Sequence, residues 1–270
     1  MSKLKAVILA AGKGTRMNSD LPKVLHECLG QSMVHHVIKA VEGADALDVC
    51  VIVGYKAKEV KDAIYDIVQF VEQEEQLGTG HAVKCASEFI GTEGLTMVLC
   101  GDTPLITGAT LKRLVDTHLE EGNAITVLTA IADDPTGYGR IIKDSWGKFV
   151  KIVEQKDATL EEQRVQEINS GMYIFDSAIL NEALGKLTNN NAQGEYYLTD
   201  CLELILKAGG KVEAVVAKDA QEFFGVNSRS QLVEATQIMK TRINRRHLEN
   251  GVTIVDPENT YISADVTIGM

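Results

Sequence analysis

Positive charge is in short supply in this chain. Its 270 residues carry 27 Lys and Arg against 38 Asp and Glu, a formal net charge of −11. A generally basic face for nucleic acid is excluded, and anions can be held only where a few cations are locally concentrated. Long apolar runs are missing as well. No stretch is long enough to cross a bilayer, and Met1-Ser2-Lys3-Leu4-Lys5 leads straight into an apolar segment without a secretory pattern. The expectation is a chain that meets neither membrane nor nucleic acid. The five cysteines, Cys28, Cys50, Cys85, Cys100 and Cys201, are odd in number and include no C-x-x-C. Neither a disulfide framework nor a zinc ribbon is supported, and a reducing cytoplasm fits. Cys50 and Cys100 lie in apolar segments and are expected to be buried small hydrophobes.

Two familiar phosphate loops are also absent. A Walker A loop places four residues between its glycines and then Lys-Ser/Thr, which Gly12-Lys13-Gly14-Thr15 does not match. The dinucleotide fingerprint needs a third glycine where this chain has Met17. What is present is Leu9-Ala10-Ala11-Gly12-Lys13-Gly14-Thr15-Arg16-Met17, then Leu21-Pro22-Lys23, after the apolar run Lys5-Ala6-Val7-Ile8-Leu9. Small residues let backbone N–H groups close around a phosphate, and Arg16 and Lys23 bring fixed positive charge to the same place. The segment is either a plain strand-to-loop turn or, with Arg16 and Pro22-Lys23 counted, a nucleoside triphosphate site.

The first half alternates strand and helix patterns. Strands are expected at 5–9, 49–53, 67–71, 96–100 and 124–130. Val34, Val37, Ile38 and Val41 repeat on one helical face, as do Leu111, Leu114, Val115 and His118. Such alternation implies a mainly parallel sheet with helices on both faces, with ligands beyond the carboxyl ends of the strands. Further on, 140–143 and 148–154 flank a turn at Ser145-Trp146-Gly147 and read as a hairpin, and 171–176 as another strand. Helical patterns follow at 177–184 and 198–208, and a long polar helix from Ser228 to about Glu249. Arg242, Arg245 and Arg246 crowd its last turns, which the helix dipole favours. The tail from Val252 has apolar residues at short spacing, and Val266, Ile268 and Gly269 resemble the opening of hexapeptide β-helix repeats. At least three coils are needed for a stable stack, so a shortened form is expected.

Several residues could carry chemistry. Asp102, in Gly101-Asp102-Thr103-Pro104 after an apolar strand, is placed either to hold Mg²⁺ or to cap a turn; beside a phosphate loop the metal reading gains. In Glu72-Gln73-Glu74-Glu75-Gln76-Leu77-Gly78-Thr79-Gly80-His81-Ala82, glycines permit close approach to a planar base, and Gln73 offers both donor and acceptor. The alternative is an acidic solvated loop. His81 reads as a structural or substrate-adjacent histidine, since phosphoryl transfer needs little base catalysis. His35 and His36 face different ways on a helix and make poor joint metal ligands. Gly137-Tyr138-Gly139-Arg140, Glu154 and Asn169 could meet sugar hydroxyls, or be ordinary surface polarity.

Taken together, these motifs resemble the sugar-phosphate nucleotidylyltransferases. Glu75 to Ala82, Asp134-Pro135-Thr136-Gly137-Tyr138-Gly139-Arg140 and Asn189-Asn190-Asn191-Ala192-Gln193-Gly194-Glu195-Tyr196-Tyr197-Leu198-Thr199-Asp200 narrow the resemblance. They resemble the uridylyltransferase domain of the bacterial bifunctional N-acetylglucosamine-1-phosphate uridylyltransferase/glucosamine-1-phosphate acetyltransferases, from Lys5 to the end. That resemblance implies an α/β fold: a Rossmann-like doubly wound mixed sheet of the nucleotide-diphospho-sugar transferase type, then the first turn of a left-handed β-helix. It implies a nucleotidyltransferase domain over 1–227, a linker helix over 228–250 and the start of a truncated β-helix over 251–270. At matching positions, Leu9, Ala10, Ala11, Gly12 and Gly101 would contact the nucleotide, while Arg16 and Lys23 neutralise the triphosphate. Gln73, Gly78 and Thr79 would select uracil, and Asp102 and Asn227 would hold Mg²⁺. Gly139, Glu154 and Asn169 would bind N-acetylglucosamine, with Glu195 and Tyr197 lining or bracing that site. The implied reaction takes UTP and N-acetylglucosamine-1-phosphate to UDP-N-acetylglucosamine and pyrophosphate, for cell-wall precursors, in the cytoplasm. Arg16, Lys23 and Asp102 would be its catalytic residues. The acetyltransferase half is missing, which puts that activity and the full-length homotrimer in doubt. A transferase for another sugar phosphate and a non-catalytic nucleotide-binding regulator remain the rivals.

Overall fold

The structure, a computed structural model, describes residues 3–46 and 48–269. The expected lead-in at Met1-Ser2 and the last position of the 251–270 segment lie outside the described residues. Strand β1 (Leu4–Ala10) ends in a loop with two short 3-10 turns, Thr15–Met17 and Lys23–Leu25. A small hairpin of β2 (Glu27–Cys28) and β3 (Gln31–Ser32) follows. Then come α1 (Met33–Glu42), β4 (Asp48–Val53), α2 (Ala57–Ala63), β5 (Gln69–Glu72), α3 (Thr79–Cys85), α4 (Ser87–Ile90) and β6 (Leu95–Cys100). The second half holds α5 (Gly108–Glu121), β7 (Ile125–Ile131), β8 (Arg140–Lys143), β9 (Phe149–Val153) and β10 (Glu167–Asp176). It closes with α6 (Ser177–Leu184), α7 (Asp200–Lys207), β11 (Val212–Val216) and α8 (Arg229–Glu249).

The main sheet has the order β11-β7-β10-β6-β1-β4-β5, with β8 on β10 and β9 on β8. β1, β4, β5 and β6 are mutually parallel neighbours, and β11 is parallel to β7. The expected mainly parallel sheet is corrected at β10, which runs antiparallel to both β6 and β7. The hairpin of β8 and β9, by contrast, forms where the turn at Ser145-Trp146-Gly147 predicted it. β10 begins four residues before the expected 171–176 strand, and its register with β7 shifts between Asn169 and Met172.

Alternation along the strands builds a core on each face of the sheet. Ala6, Ile8 and Ala10 of β1 and Val49, Val51 and Val53 of β4 join one buried cluster. Val7, Cys50 and Ile52 join the other. The helical repeat Val34, Val37, Ile38 and Val41 is 0% exposed throughout, against the first cluster. Three helix starts are capped by side chains: Thr107 Oγ1 accepts from Thr110 N at α5, and Asp176 Oδ1 accepts from Ala178 N and Ile179 N at α6. Ser228 Oγ does the same for Gln231 N at α8.

α8 is polar over most of its surface but contributes Ala235, Met239 and Ile243 to a third cluster with Met17, Cys28, Met33, Leu105 and Val226. Two of its three crowded arginines are engaged. Arg242 donates to Leu105 O and pairs with Asp219, and Arg245 pairs with Glu249. Residues 251–269 contain no strand; they run as turns and coil. They are tied back through Asn244 Nδ2 to Pro257 O and Thr260 O, and through Ser263 Oγ to Leu29 O.

Candidate functional site

A cleft of about 290 Å³ opens at the carboxyl ends of β1 and β6. Leu9, Ala10, Ala11 and Gly12 form one wall, Gln73, Gly78 and Thr79 the far end, and Lys23 and Asp102 the mouth. Gly101 does not itself line the cleft: its N–H donates to Leu9 O at 2.9 Å, and a Cβ there would stand 3.0 Å from that carbonyl. The glycine loop folds over Lys23 because Gly14 takes φ +64°, a conformation side chains resist, and a Cβ there would press into the Lys23 side chain.

At the mouth, the Lys23 ammonium is paired with the Asp102 carboxylate and donates to Asn227 Oδ1 at 3.0 Å. Val226 N–H donates to Asp102 O at 2.9 Å, which brings Asn227 alongside, and Gln231 Oε1 accepts from Asn227 N–H at 2.8 Å. One carboxylate and one amide oxygen, from chain positions far apart, thus converge on a single cation. These are hard oxygen donors of the kind that hold a divalent ion with help from substrate phosphates. Among the described residues no cluster of three or more His, Cys, Asp and Glu could hold a metal by itself. Asp102 and Asn227 therefore fit an ion whose coordination a ligand completes, and the Lys23 ammonium shows that the oxygens already face a positive charge.

At the far end Gln73 is 3% exposed. Its Nε2 lies 3.0 Å from Gly78 O and 3.1 Å from His81 Nδ1. Gln76 Nε2 donates to Gln73 O at 3.1 Å. Gly78 takes φ +109°, and a Cβ there would lie 2.9 Å from Glu195 Cβ and Tyr196 N. That close approach lets the 194–198 segment clamp down, with Tyr196 N–H donating to Leu77 O and Leu198 N–H to Thr79 Oγ1.

Gly139, Glu154 and Asn169 form a second group. A Cβ on Gly139 would stand 3.5 Å from both Glu154 Oε1 and Asn169 Cβ. Asn169 is aimed there by the register shift in β10: its Oδ1 accepts from Gly171 N, and it is hydrogen-bonded to Tyr173 Oη. Glu154 accepts from Thr199 Oγ1 at 3.2 Å, and burial pushes its carboxyl pKa up, with Asp157 and Asp200 adding to the rise.

Other candidates fall elsewhere. Arg16 is exposed on the 3-10 turn and does not line the cleft. Burial and then the Asp102 carboxylate push the Tyr138 phenol up while Arg16 pulls it back, so Tyr138 stands within reach of both charges. Glu195 lines the nucleotide-side cleft. Tyr197 is buried and hydrogen-bonded through Oη to Gln193 and Asp157, bracing the loop. Cys100, expected to be buried like Cys50, is instead half-buried at the end of β6 and lines the cleft; burial pushes its thiol up to about 12. His36 is buried on Cys28 O and His35 faces Asp66, so the two do diverge. Sequence reading singled out neither Gln76 nor Thr199, although both lie inside the quoted motifs.

With this geometry in place, comparison with known proteins is decisive at one level. The nucleotidyl transferase family profile matches residues 5–236. This chain belongs to the nucleotidyl transferase family. Its relatives include the bifunctional protein GlmU of Caldanaerobacter subterraneus subsp. tengcongensis, 55% identical over 269 residues and 100% of this chain. Those of Thermoanaerobacter pseudethanolicus and Geobacillus thermodenitrificans are 54% and 52% identical, again over 100% of this chain. The chain spans 59% of the length of each. A solved structure described as a glucose-1-phosphate thymidylyltransferase from Bacillus anthracis superposes with a TM-score of 0.70 at 20% identity, covering 95% of this chain and 99% of that one. At that identity the likeness is one of fold, and the fold is the α/β nucleotidyltransferase type with a mixed central sheet. No helix among the described residues of this family member is long and apolar enough to cross a membrane.

Proposed function

We infer that the chain transfers UMP from UTP to N-acetylglucosamine-1-phosphate, giving UDP-N-acetylglucosamine and pyrophosphate in the cytoplasm. The observation that carries this reading is the single cleft that joins the small-residue loop, the Gln73 amide and the meeting of Lys23 with Asp102 and Asn227. The uridine lies between the 9–12 wall and Gln73, Gly78 and Thr79. The sugar lies beside Gly139, Glu154 and Asn169, with Tyr197 supporting that side and Glu195 reaching it from the nucleotide-side cleft.

The sugar phosphate oxygen attacks the α-phosphorus in line, a new P–O bond forms, and the bond to pyrophosphate breaks. No covalent enzyme intermediate is needed, so the protein contributes position and charge. Lys23 neutralises phosphate charge at the cleft mouth, and Arg16 approaches from its exposed turn. Backbone N–H groups of the glycine loop cradle the phosphates. Asp102 and Asn227 would hold Mg²⁺, whose charge would offset the repulsion between the two phosphate anions. Lys23, paired with Asp102 in this structure, is the cation that would turn to the phosphates.

For the whole protein, residues 1–227 are the transferase domain, 228–250 a linker helix and 251–270 the opening of a left-handed β-helix. The spacing of Val266, Ile268 and Gly269 supports that last division. The complete β-helix would carry the acetyltransferase and the homotrimer contacts. The test is pyrophosphate release from UTP and N-acetylglucosamine-1-phosphate with and without Mg²⁺, with other nucleotides and sugar phosphates as comparators. Release that requires all three components supports the reading; preference for another pair replaces it.

A further inference from the structure

The Gln73 side-chain amide has two hydrogens and two neighbours. Gly78 O, 3.0 Å from Nε2, can only accept, so the group facing it must be the NH₂ and not the carbonyl. The second amide hydrogen is directed to His81 Nδ1 at 3.1 Å. Nδ1 must then offer a lone pair, which makes the imidazole neutral with its proton on Nε2. Nε2 faces away, 4.0 Å from Cys85 Sγ, into a separate cavity of about 300 Å³ behind the loop. His81 is therefore the wall between that cavity and Gln73.

With both hydrogens engaged, Gln73 has one polar atom left. Oε1 has no hydrogen-bond partner among the described residues, and Gln73 lines the cleft. The cleft is thus presented with an acceptor and no donor from this side chain. We propose that His81 is a positioning residue that holds Gln73 with its carbonyl oxygen toward the cleft, making the base end select imide bases. Uracil and thymine carry a hydrogen on N3 that such an oxygen accepts. Cytosine carries a lone pair on N3, which would meet oxygen against nitrogen with no hydrogen between them. The inference deepens the uridine reading and rests on it. Two hydrogen bonds on the amide nitrogen, rather than one, oppose its half-turn. A side chain at position 81 that cannot accept leaves one buried amide hydrogen unpaired and the orientation held by Gly78 alone.

The test compares UTP with CTP as co-substrates of N-acetylglucosamine-1-phosphate. His81→Leu, close in bulk and unable to accept, is expected to lower the UTP-to-CTP ratio of kcat/KM by about tenfold, mainly through the KM for UTP, as loss of an orienting hydrogen bond would. His81→Asn, whose Oδ1 can stand where Nδ1 stood, is expected to restore the ratio to within about threefold of wild type. A merely structural histidine would cost both nucleotides alike and would not be rescued by Asn. An unchanged ratio in a folded His81→Leu protein overturns the inference, as does failure of Asn to restore it. Independently of any variant, nitrogen NMR of the wild-type imidazole should show Nε2 protonated and Nδ1 bare, and the opposite tautomer overturns it too. If wild type shows no preference for UTP, the uridine reading falls, while the tautomer still decides the positioning of Gln73.

Discussion

Replacing Asp102 by Asn tests the charge at the cleft mouth with little change of shape. The Asp102 and Lys23 side chains are 18% and 15% exposed, so their interaction is neither fully screened nor fully dry. Unit charges about 4 Å apart at an effective dielectric of about 20 interact by ~4 kcal/mol, and the residual solvent access discounts that toward ~3 kcal/mol. A divalent ion on the same carboxylate has at least as much to lose when the charge goes. A loss near 3 kcal/mol in the transition state is about 10² in rate, within the range for removal of a preorganised electrostatic group. Asn keeps an oxygen for Lys23 and leaves Val226 N–H its backbone partner at residue 102, so the fold should hold. In the free protein Lys23 is released from its counter-ion, so metal-free UTP should bind Asp102→Asn more tightly than wild type. The assay is steady-state pyrophosphate release at limiting and saturating Mg²⁺, beside UTP titration in chelator. Turnover within threefold of wild type at limiting Mg²⁺, or weaker metal-free binding, would refute the reasoning.

Gly78→Ala forces a side chain into φ +109° against Glu195 and Tyr196, and should cost about 1–3 kcal/mol of stability in urea unfolding while raising the KM for UTP; a neutral effect on both would show that the loop can yield. Glu154→Gln removes the cost of burying a charge: the raised carboxyl pKa means a penalty absent below the unfolded value and present above the folded one. Its melting temperature at pH 8 should therefore hold or rise while the KM for the sugar phosphate increases about tenfold, as loss of a charged hydrogen-bond partner would cause; a fall in melting temperature at unchanged KM would contradict both parts. His118, buried beside Thr126 Oγ1, has its pKa lowered by burial from 6.5 to about 4, so its contribution is present above pH 6.5 and lost as pH falls toward 4. That loss amounts to ~3 kcal/mol, and His118→Gln should remove about one proton from the linkage over that window; an unaltered pH slope in urea titrations would count against it.

The strands and the cleft loop were legible because they rest on local rules. β1, β4 and β6 are apolar runs whose residues face two cores, and the helix face of Val34, Val37, Ile38 and Val41 repeats with the period that burial demands. Sequence did not disclose that β10 turns against its neighbours, since strand direction is set by the chain's path and not by the residues within the strand. β11 went unread: five residues of Val, Glu and Ala gain their strand identity from pairing with β7. Cys100 was misplaced because an apolar run says nothing of where a strand ends relative to a cleft. Asn227 could be reached only by resemblance. It meets Lys23 across 204 positions through the backbone bond of Val226 to Asp102, and no local pattern marks such a meeting.

The central claim is that one cleft places a uridine nucleotide on Gln73 and its phosphates among Lys23, Asp102 and Asn227. A crystal structure of the chain with UDP-N-acetylglucosamine and Mn²⁺, phased to show the metal by its anomalous signal, tests this most directly. The metal peak is expected between Asp102 and Asn227, with Lys23 turned onto phosphate and the uracil against Gln73 Oε1. A nucleotide bound elsewhere, or a metal peak distant from both side chains, would contradict it.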